Sequence, residues 1–292
     1  MVLVWLHMVL VWLQLGLISN AMGKLFTVVS SAFQILRRRY DDEGDLPTLP
    51  GCAILDKCQI IMMELISMEF DEVVNERKSI RGYKPDPVPR EIIDDLITSA
   101  KKAPNSMNTQ TWKLYVITGE PLQKIKDQNT ENMLNGVKPQ RDIKMREGYQ
   151  GIHRKRQIAI AVQLFDAMGI AWEDRVARGE WAMQGFKQFG APVSIVLTYD
   201  KYLDPGAMSH YDLGAISYGL CLAAWQRGLG TVINSQGSMQ SDVVREHANI
   251  PEAENILFCV AMGYPDWDKE ANSIKSPRVG NEEFVSYVGF ED

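Results

Sequence analysis

The chain has 292 residues, 46% of them hydrophobic, and a formal net charge of −6 at pH 7. That length allows one large or two small domains with a real core. The acidic balance argues against a nucleic-acid binder, which carries a basic surplus, but leaves room for a local basic pocket.

Residues 1–67 differ from the rest. Residues 1–6 recur at 8–13 as Met-Val-Leu-Val-Trp-Leu, a low-complexity pattern. The apolar run to residue 18 is barely long enough for a bilayer, which needs about 20 residues. It lacks a basic start and a small-residue cleavage site, so it makes a poor signal peptide. Arg37, Arg38 and Arg39 follow. In a membrane anchor they would leave the remainder on the cytoplasmic side. The favoured reading is a spurious leader ahead of a natural start at Met68, with an anchor as the alternative. Residues 41–50 are polar, acidic and proline-bearing, and read as a linker either way. Residues 68–292 are expected to form the folded domain.

Residues 69–78 read as a short amphipathic helix with Phe70, Val73 and Val74 on one side. It runs into Arg77-Lys78-Ser79-Ile80-Arg81. Clustered cations with a hydroxyl suit a dianionic phosphate, because guanidinium–phosphate hydrogen bonds are charge-assisted and directional. Residues 89–103 then place Ile92, Ile93, Leu96, Ile97, Ala100 and Ala103 on one helical face, between Pro89 and Pro104. The loop Ala103-Pro104-Asn105-Ser106-Met107-Asn108-Thr109-Gln110-Thr111-Trp112 is amide-rich. Amides offer a donor and an acceptor, which suits the edge of a heteroaromatic ring such as isoalloxazine. Taken singly, the basic cluster reads as solvated surface and the loop as a turn. The ordered pair is what is specific.

In these two motifs the chain resembles the nitroreductase family of FMN-dependent oxidoreductases, from about residue 68 to the C terminus. The family's Arg-Arg-Ser-x-Arg-like motif corresponds to Arg77-Lys78-Ser79-Ile80-Arg81, and its Ala-Pro-Ser-x-x-Asn-x-Gln-Pro-Trp-like loop to residues 103–112. Asn105 stands where Ser is usual and Thr111 where Pro is usual, changes that bear on loop geometry more than on cofactor identity. The resemblance implies an α+β fold: a mixed, mainly antiparallel sheet flanked by helices, in a homodimer that shares the FMN site. It implies that Arg77 and Ser79 hold the flavin phosphate and that Arg81 stabilises charge on the reduced ring. Asn108 and Gln110 would meet the ring or ribityl chain from the other subunit. Lys78, Asn105 and Ser106 are further cofactor-binding candidates.

Residues 112–118 alternate as a strand, 120–133 read as a helix, and 135–151, with Pro139, as a loop. Helices are expected over 152–170 and 172–189, the latter carrying Trp172, Trp181, Phe186 and Phe189. Aromatics at helical spacing usually pack inward. The resemblance makes this middle region a cap over the flavin, with Tyr149, Trp172 and Phe186 as candidate substrate contacts.

Residues 192–199 read as a strand. Residues 212–227 read as a helix so apolar that it should be buried. Its Gly214, Ala215, Gly219 and Ala223 would permit close helix approach. The resemblance places this helix at the centre of a homodimer; an ordinary core helix in a monomer stays open. Gly228 ends it. A short strand at 231–233 leads into Asn234-Ser235-Gln236-Gly237. The resemblance sets that junction against the flavin ring, where a backbone N–H can meet N5, so Asn234, Ser235 and Gln236 are cofactor-binding candidates.

A helix at 242–249 and a strand at 256–262 follow, the latter ending in Gly263-Tyr264-Pro265. In the tail, Lys275 and Arg278 would form a basic pair that the resemblance returns to the phosphate. Crowded cations are costly without an anion between them, so the empty site should take phosphate or sulfate. A last strand, 283–288, would extend to the partner subunit.

Cys52, Cys58, Cys221 and Cys259 show no Cys-x-x-Cys or zinc-type spacing, and the four histidines are scattered. No metal is expected, and Cys221 and Cys259 should be buried free thiols. The sequence has no Gly-x-Ser-x-Gly elbow, Walker motif or dinucleotide glycine fingerprint. The activity implied by the resemblance is a ping-pong cycle. NADH or NADPH delivers hydride to FMN, and a nitroaromatic or quinone then accepts it, with no catalytic side chain. The alternatives are a membrane-tethered reductive dehalogenase resembling iodotyrosine deiodinase and a non-catalytic flavin-binding protein. The expected location is cytoplasmic or, if anchored, on the cytoplasmic side of a membrane. The expected partners are a small aromatic substrate and a second copy of the chain, not nucleic acid.

Overall fold

In the computed structural model the described residues are 68–144, 148–204 and 206–290. The expectations for residues 1–67, Cys52 and Cys58 included, lie outside them. Strands β1 (Lys113–Thr118), β2 (Val193–Asp200), β3 (Gly230–Asn234) and β4 (Glu254–Gly263) form one sheet in the order β1-β2-β4-β3. Each neighbouring pair is antiparallel. Parallel pairing occurs only as isolated bridges, Ser79 with Thr231 and Gln140 with Gln240, among the described residues. Helices α1 (Phe70–Glu76), α2 (Arg90–Ala100), α3 (Gly119–Leu134), α4 (Gly151–Ala167), α5 (Arg175–Phe186), α6 (Ala207–Gln226) and α7 (Ser241–Ala248) complete the regular structure.

Central strand β2 is buried almost throughout, as a strand covered on both faces must be. Its alternation sends Val193, Ile195, Leu197 and Tyr199 into a core with Leu96 of α2 and Leu213, Ile216 and Leu220 of α6. Val196 enters a second core, with Leu122 and Ile125 of α3 and Val244 of α7. Helices therefore cover both faces of an antiparallel sheet, the α+β arrangement. Each such aliphatic side chain contributes roughly 1.5–3 kcal/mol by leaving water. Cys221 and Cys259 are free and buried, as expected.

Three expectations are corrected. Residues 283–288 form no strand: a short 3-10 turn, Asn281–Glu283, is followed by irregular chain with Phe284, Tyr287 and Val288 exposed. A strand needs a neighbouring edge, and among the described residues the segment pairs with none. The helix expected over 172–189 is shorter, because Asp174 caps α5 by accepting a hydrogen bond from the Ala177 N–H at 2.9 Å. Helix α6 begins at Ala207, and it is not buried on all sides. Met208, Tyr211 and Tyr218 stand 55%, 70% and 46% exposed along one stripe. Close approach does occur at Gly219, where a Cβ would lie 3.2 Å from Ala100 Cα in α2.

Candidate functional site

The basic segment is fixed to the edge of the sheet. Ser79 bridges Thr231 of β3, and the Ile80 N–H donates to the Thr231 carbonyl at 2.9 Å. Ile80 is fully buried, and Gly230 makes room for it: a Cβ there would lie 2.5 Å from Ile80 Cγ1. The partly buried neighbours Arg77, Lys78, Ser79 and Arg81 remain near the surface.

Arg77, Lys78 and Ser79 meet the distant tail residues Lys275 and Arg278 around a cleft of about 690 Å³, beside Tyr218 of α6. The Arg77 Nε is buried and has no hydrogen-bond partner. Its guanidinium carbon sits 5.9 Å from the Tyr218 ring centre. Lys78 Nζ lies 5.1 Å from the Trp267 ring centre. Burial lowers the Lys78 ammonium pKa; Glu76 opposes this, and Lys275 adds to it. An orphaned guanidinium donor in a cationic cleft fits the phosphate of a flavin mononucleotide.

The expected repulsion is partly relieved within the chain. Lys275 pairs with Glu76 at 3.0 Å. Arg278 donates to the carbonyls of Ser276 and Pro277 at 3.0 and 3.1 Å. Arg81 does not line the cleft. Its N–H donates to Asn272 Oδ1 at 2.6 Å, and burial lowers its guanidinium pKa.

The amide loop is held by a residue outside both motifs. Asp212 of α6, fully buried, accepts from the Ser106 N–H at 3.2 Å and from the Thr111 hydroxyl at 3.3 Å. Asn105 works inside the loop, its Oδ1 accepting from the Gln110 N–H at 2.9 Å. Met107, Asn108 and Gln110 take left-handed conformations, with φ of 48°, 58° and 48°. Asn108 and Gln110 are exposed, and none of the loop lines the cationic cleft of the same chain.

At the end of β3, Asn234 and Gln236 direct their side chains to the protein. Asn234 Oδ1 accepts from the N–H groups of Gln236 and Gly237 at 2.9 and 3.2 Å, and its Nδ2 donates to the Gly185 carbonyl at 2.7 Å. Gln236 Nε2 donates to the Ala182 carbonyl at 3.0 Å. Its side chain fills the space that a Cβ at Gly185 would need. Asn234 and Gln236 thus clamp the turn to α5. The Ser235 carbonyl accepts from Arg141 at 3.1 Å.

Among the substrate candidates, Phe186 is 4% exposed and belongs to the interior. Its place at the end of α5, beside the Gly185 clamp, turns it inward. Tyr149 and Trp172 are exposed. Trp172 packs against Phe165 at 6.0 Å and carries the Arg178 guanidinium at 4.7 Å. Sequence reasoning missed Asp212 and Arg141. Asp212 could have been suspected as a lone carboxylate in an apolar helix; Arg141 had no local signal.

Fold and cleft together define an α+β protein with a cationic cleft at a sheet edge, of a chemistry that fits a phosphorylated group. Residues 74–264 match the model of the nitroreductase family. Over 222 residues the chain is 30% identical to the chloronitrobenzene nitroreductase of Comamonas testosteroni, covering 75% of this chain and 96% of that one. Over 251 residues it is 34% identical to the iodotyrosine deiodinase of Danio rerio, covering 80% of this chain and 72% of that one. The crystal structure of the FMN and NADPH-dependent nitroreductase NfnB from sphigopyxis sp. strain HMH resembles it with a TM-score of 0.72 at 25% identity, over 76% of this chain and 100% of that one. The chain belongs to the nitroreductase family.

Proposed function

We propose that the protein is an FMN-dependent oxidoreductase that uses NADH or NADPH to reduce nitroaromatic or quinone-type acceptors. The observation that carries this is the cationic cleft, with its unpartnered Arg77 Nε, in a chain of this family. Arg77, Lys78 and Ser79 would bind the phosphate from β3's edge, with Lys275 and Arg278 closing on it from the tail. FMN, when bound, supplies the hydride-carrying ring, so no side-chain base is required. Arg81 would stabilise negative charge on the reduced ring through a preorganised cation. The turn at 234–237 would lie against the ring.

The exposed α6 stripe supports a homodimer, because tyrosines and small residues on an outward face offer a surface for a second copy. Asn105, Ser106, Asn108 and Gln110 would then approach the partner's flavin, and residues 283–288 would find an edge there. We place the enzyme in the cytoplasm, in residues 68–292, with residues 1–67 dispensable. No helix among the described residues is long and apolar enough to cross a membrane.

The test is the absorbance spectrum of the purified protein before and after anaerobic NADH or NADPH, followed by a nitroarene. Flavin bands that bleach, then recover with the nitroarene, are expected. Protein that cannot be loaded with FMN sinks the proposal, and bands that never bleach would make it a non-catalytic flavin protein. The identity to iodotyrosine deiodinase favours a second reading as a reductive dehalogenase. Turnover of iodotyrosine without turnover of nitroarenes would decide for it.

A further inference from the structure

The loop between α3 and α4 reads from sequence as a plain polar connection, yet it presents one cation with unusual care. On one side of Arg141, Gln140 bridges Gln240, and its carbonyl accepts from the Ser241 N–H at 2.8 Å. On the other, Asp142 Oδ2 accepts from Arg245 and from the Ile256 N–H, both at 2.7 Å. The Asp142 N–H donates to Ser241 Oγ at 3.4 Å. Arg141 is thus pinned from both neighbours. Its own guanidinium donates to the Ser235 carbonyl at 3.1 Å, within the turn that follows β3.

The charge of Arg141 is uncompensated among the described residues. The adjacent Asp142 is committed to Arg245, and no carboxylate pairs with Arg141 among the described residues. The side chain is half-buried, and burial lowers its pKa. A guanidinium keeps its proton in proteins and carries five donors, of which the backbone carbonyl takes one. A neutral donor would serve that carbonyl as well. The remaining donors suit a carboxylate, which a guanidinium binds with two parallel bonds. The phosphate cleft is not its destination, since Arg141 is absent from the cleft's lining.

We propose that Arg141 selects acceptors bearing a negative charge, taking the carboxylate of a nitroaromatic acid while the ring is presented at the Asn234–Gly237 turn. This rests on the functional reading above, in which that turn faces the flavin.

The full-length holoenzyme and its Arg141→Gln and Arg141→Lys variants are assayed with 4-nitrobenzoate and with nitrobenzene, using NADH and NADPH in turn. Arg141→Gln is expected to lower kcat/KM for 4-nitrobenzoate roughly ten- to hundredfold, mainly through KM. Nitrobenzene turnover stays unchanged, and Arg141→Lys recovers part of the loss. An equal fall with both acceptors would make Arg141 a support for the turn and overturn the inference. So would no change with either acceptor, or a loss confined to NADPH, which would assign the cation to the donor's phosphate. If Arg141→Gln does not fold, the wild-type enzyme still decides. Benzoate, and not benzamide, should compete with nitrobenzene; no competition overturns the inference. Absence of any turnover by wild type removes the functional reading itself. A flat acceptor ratio beside intact nitrobenzene turnover removes only the role of Arg141.

Discussion

Two charged regions of this molecule handle their charge in opposite ways. At one end of the sheet, buried Glu254 accepts from Thr198 Oγ1 at 2.6 Å and from Tyr115 Oη and Lys113 Nζ, both at 3.0 Å. Lys113 also pairs with Asp200, and Arg245 donates to Asp142 and to the Pro251 and Glu254 carbonyls. The cleft lined by Arg77, Lys78, Lys275 and Arg278 has instead, among the described residues, a buried guanidinium nitrogen with no partner, and Glu76 as the one carboxylate that pairs with its cations. Charges that hold a fold together are compensated within the chain. Charges kept for a ligand are left short of partners, and that shortfall is legible before any ligand is seen.

The contrast can be broken by mutation. Glu254→Ala strands three donors, one of them the buried Thr198 hydroxyl, and should cost about 3 kcal/mol of stability in chemical denaturation. FMN affinity should not change once the protein is folded. Arg77→Ala should do the reverse, weakening FMN binding roughly ten- to hundredfold in a fluorescence titration while the denaturation midpoint stays in place. A large stability loss from Arg77→Ala would mean that the cleft is structural and the contrast false. Asp212→Ala sits between the two regions. Freeing the Ser106 N–H and the Thr111 hydroxyl should cost about 1–2 kcal/mol and speed protease cleavage within residues 103–112.

The smallest effect sharpens the sheet-end side. Asp200 and then Glu254 raise the Lys113 ammonium pKa above its usual value through hydrogen bonds. A raised folded-state pKa means that the pair's stabilisation is complete below the unfolded value and is lost only as pH climbs through the folded one. Lys113 is part-exposed, so Lys113→Met should cost about 1 kcal/mol or less, equally at pH 6 and pH 8. No cost at either pH would show that the pairing contributes nothing.

Much of the fold was legible because its signals are local. The alternation of Val193 to Tyr199, the spacing of Ile93, Leu96 and Ala100, and Gly228 after α6 each act over a turn or a strand. The five residues from Arg77 to Arg81 were legible as a candidate phosphate site by charge density alone. The start of α6 was misplaced because its first turn, with Ser209 and His210, is polar. His210 is drawn inward by Tyr199, its Nε2 lying 2.8 Å from Tyr199 Oη.

The amino-acid sequence by itself determined most of the segments that become helices and strands, most of the faces that seek the core, and where a candidate phosphate-binding cluster lies. Those depend on periodicity and on residue type. Only the tertiary structure decided that Asn234 clamps a turn, that Phe186 is interior, that Asp212 holds the amide loop, and that Arg141 stands without a counter-charge among the described residues. Each of those turns on which partner a polar or aromatic side chain meets across many residues of chain. Long-range pairing of this kind has no period to read, because it exists only once the sheet and its helices have packed.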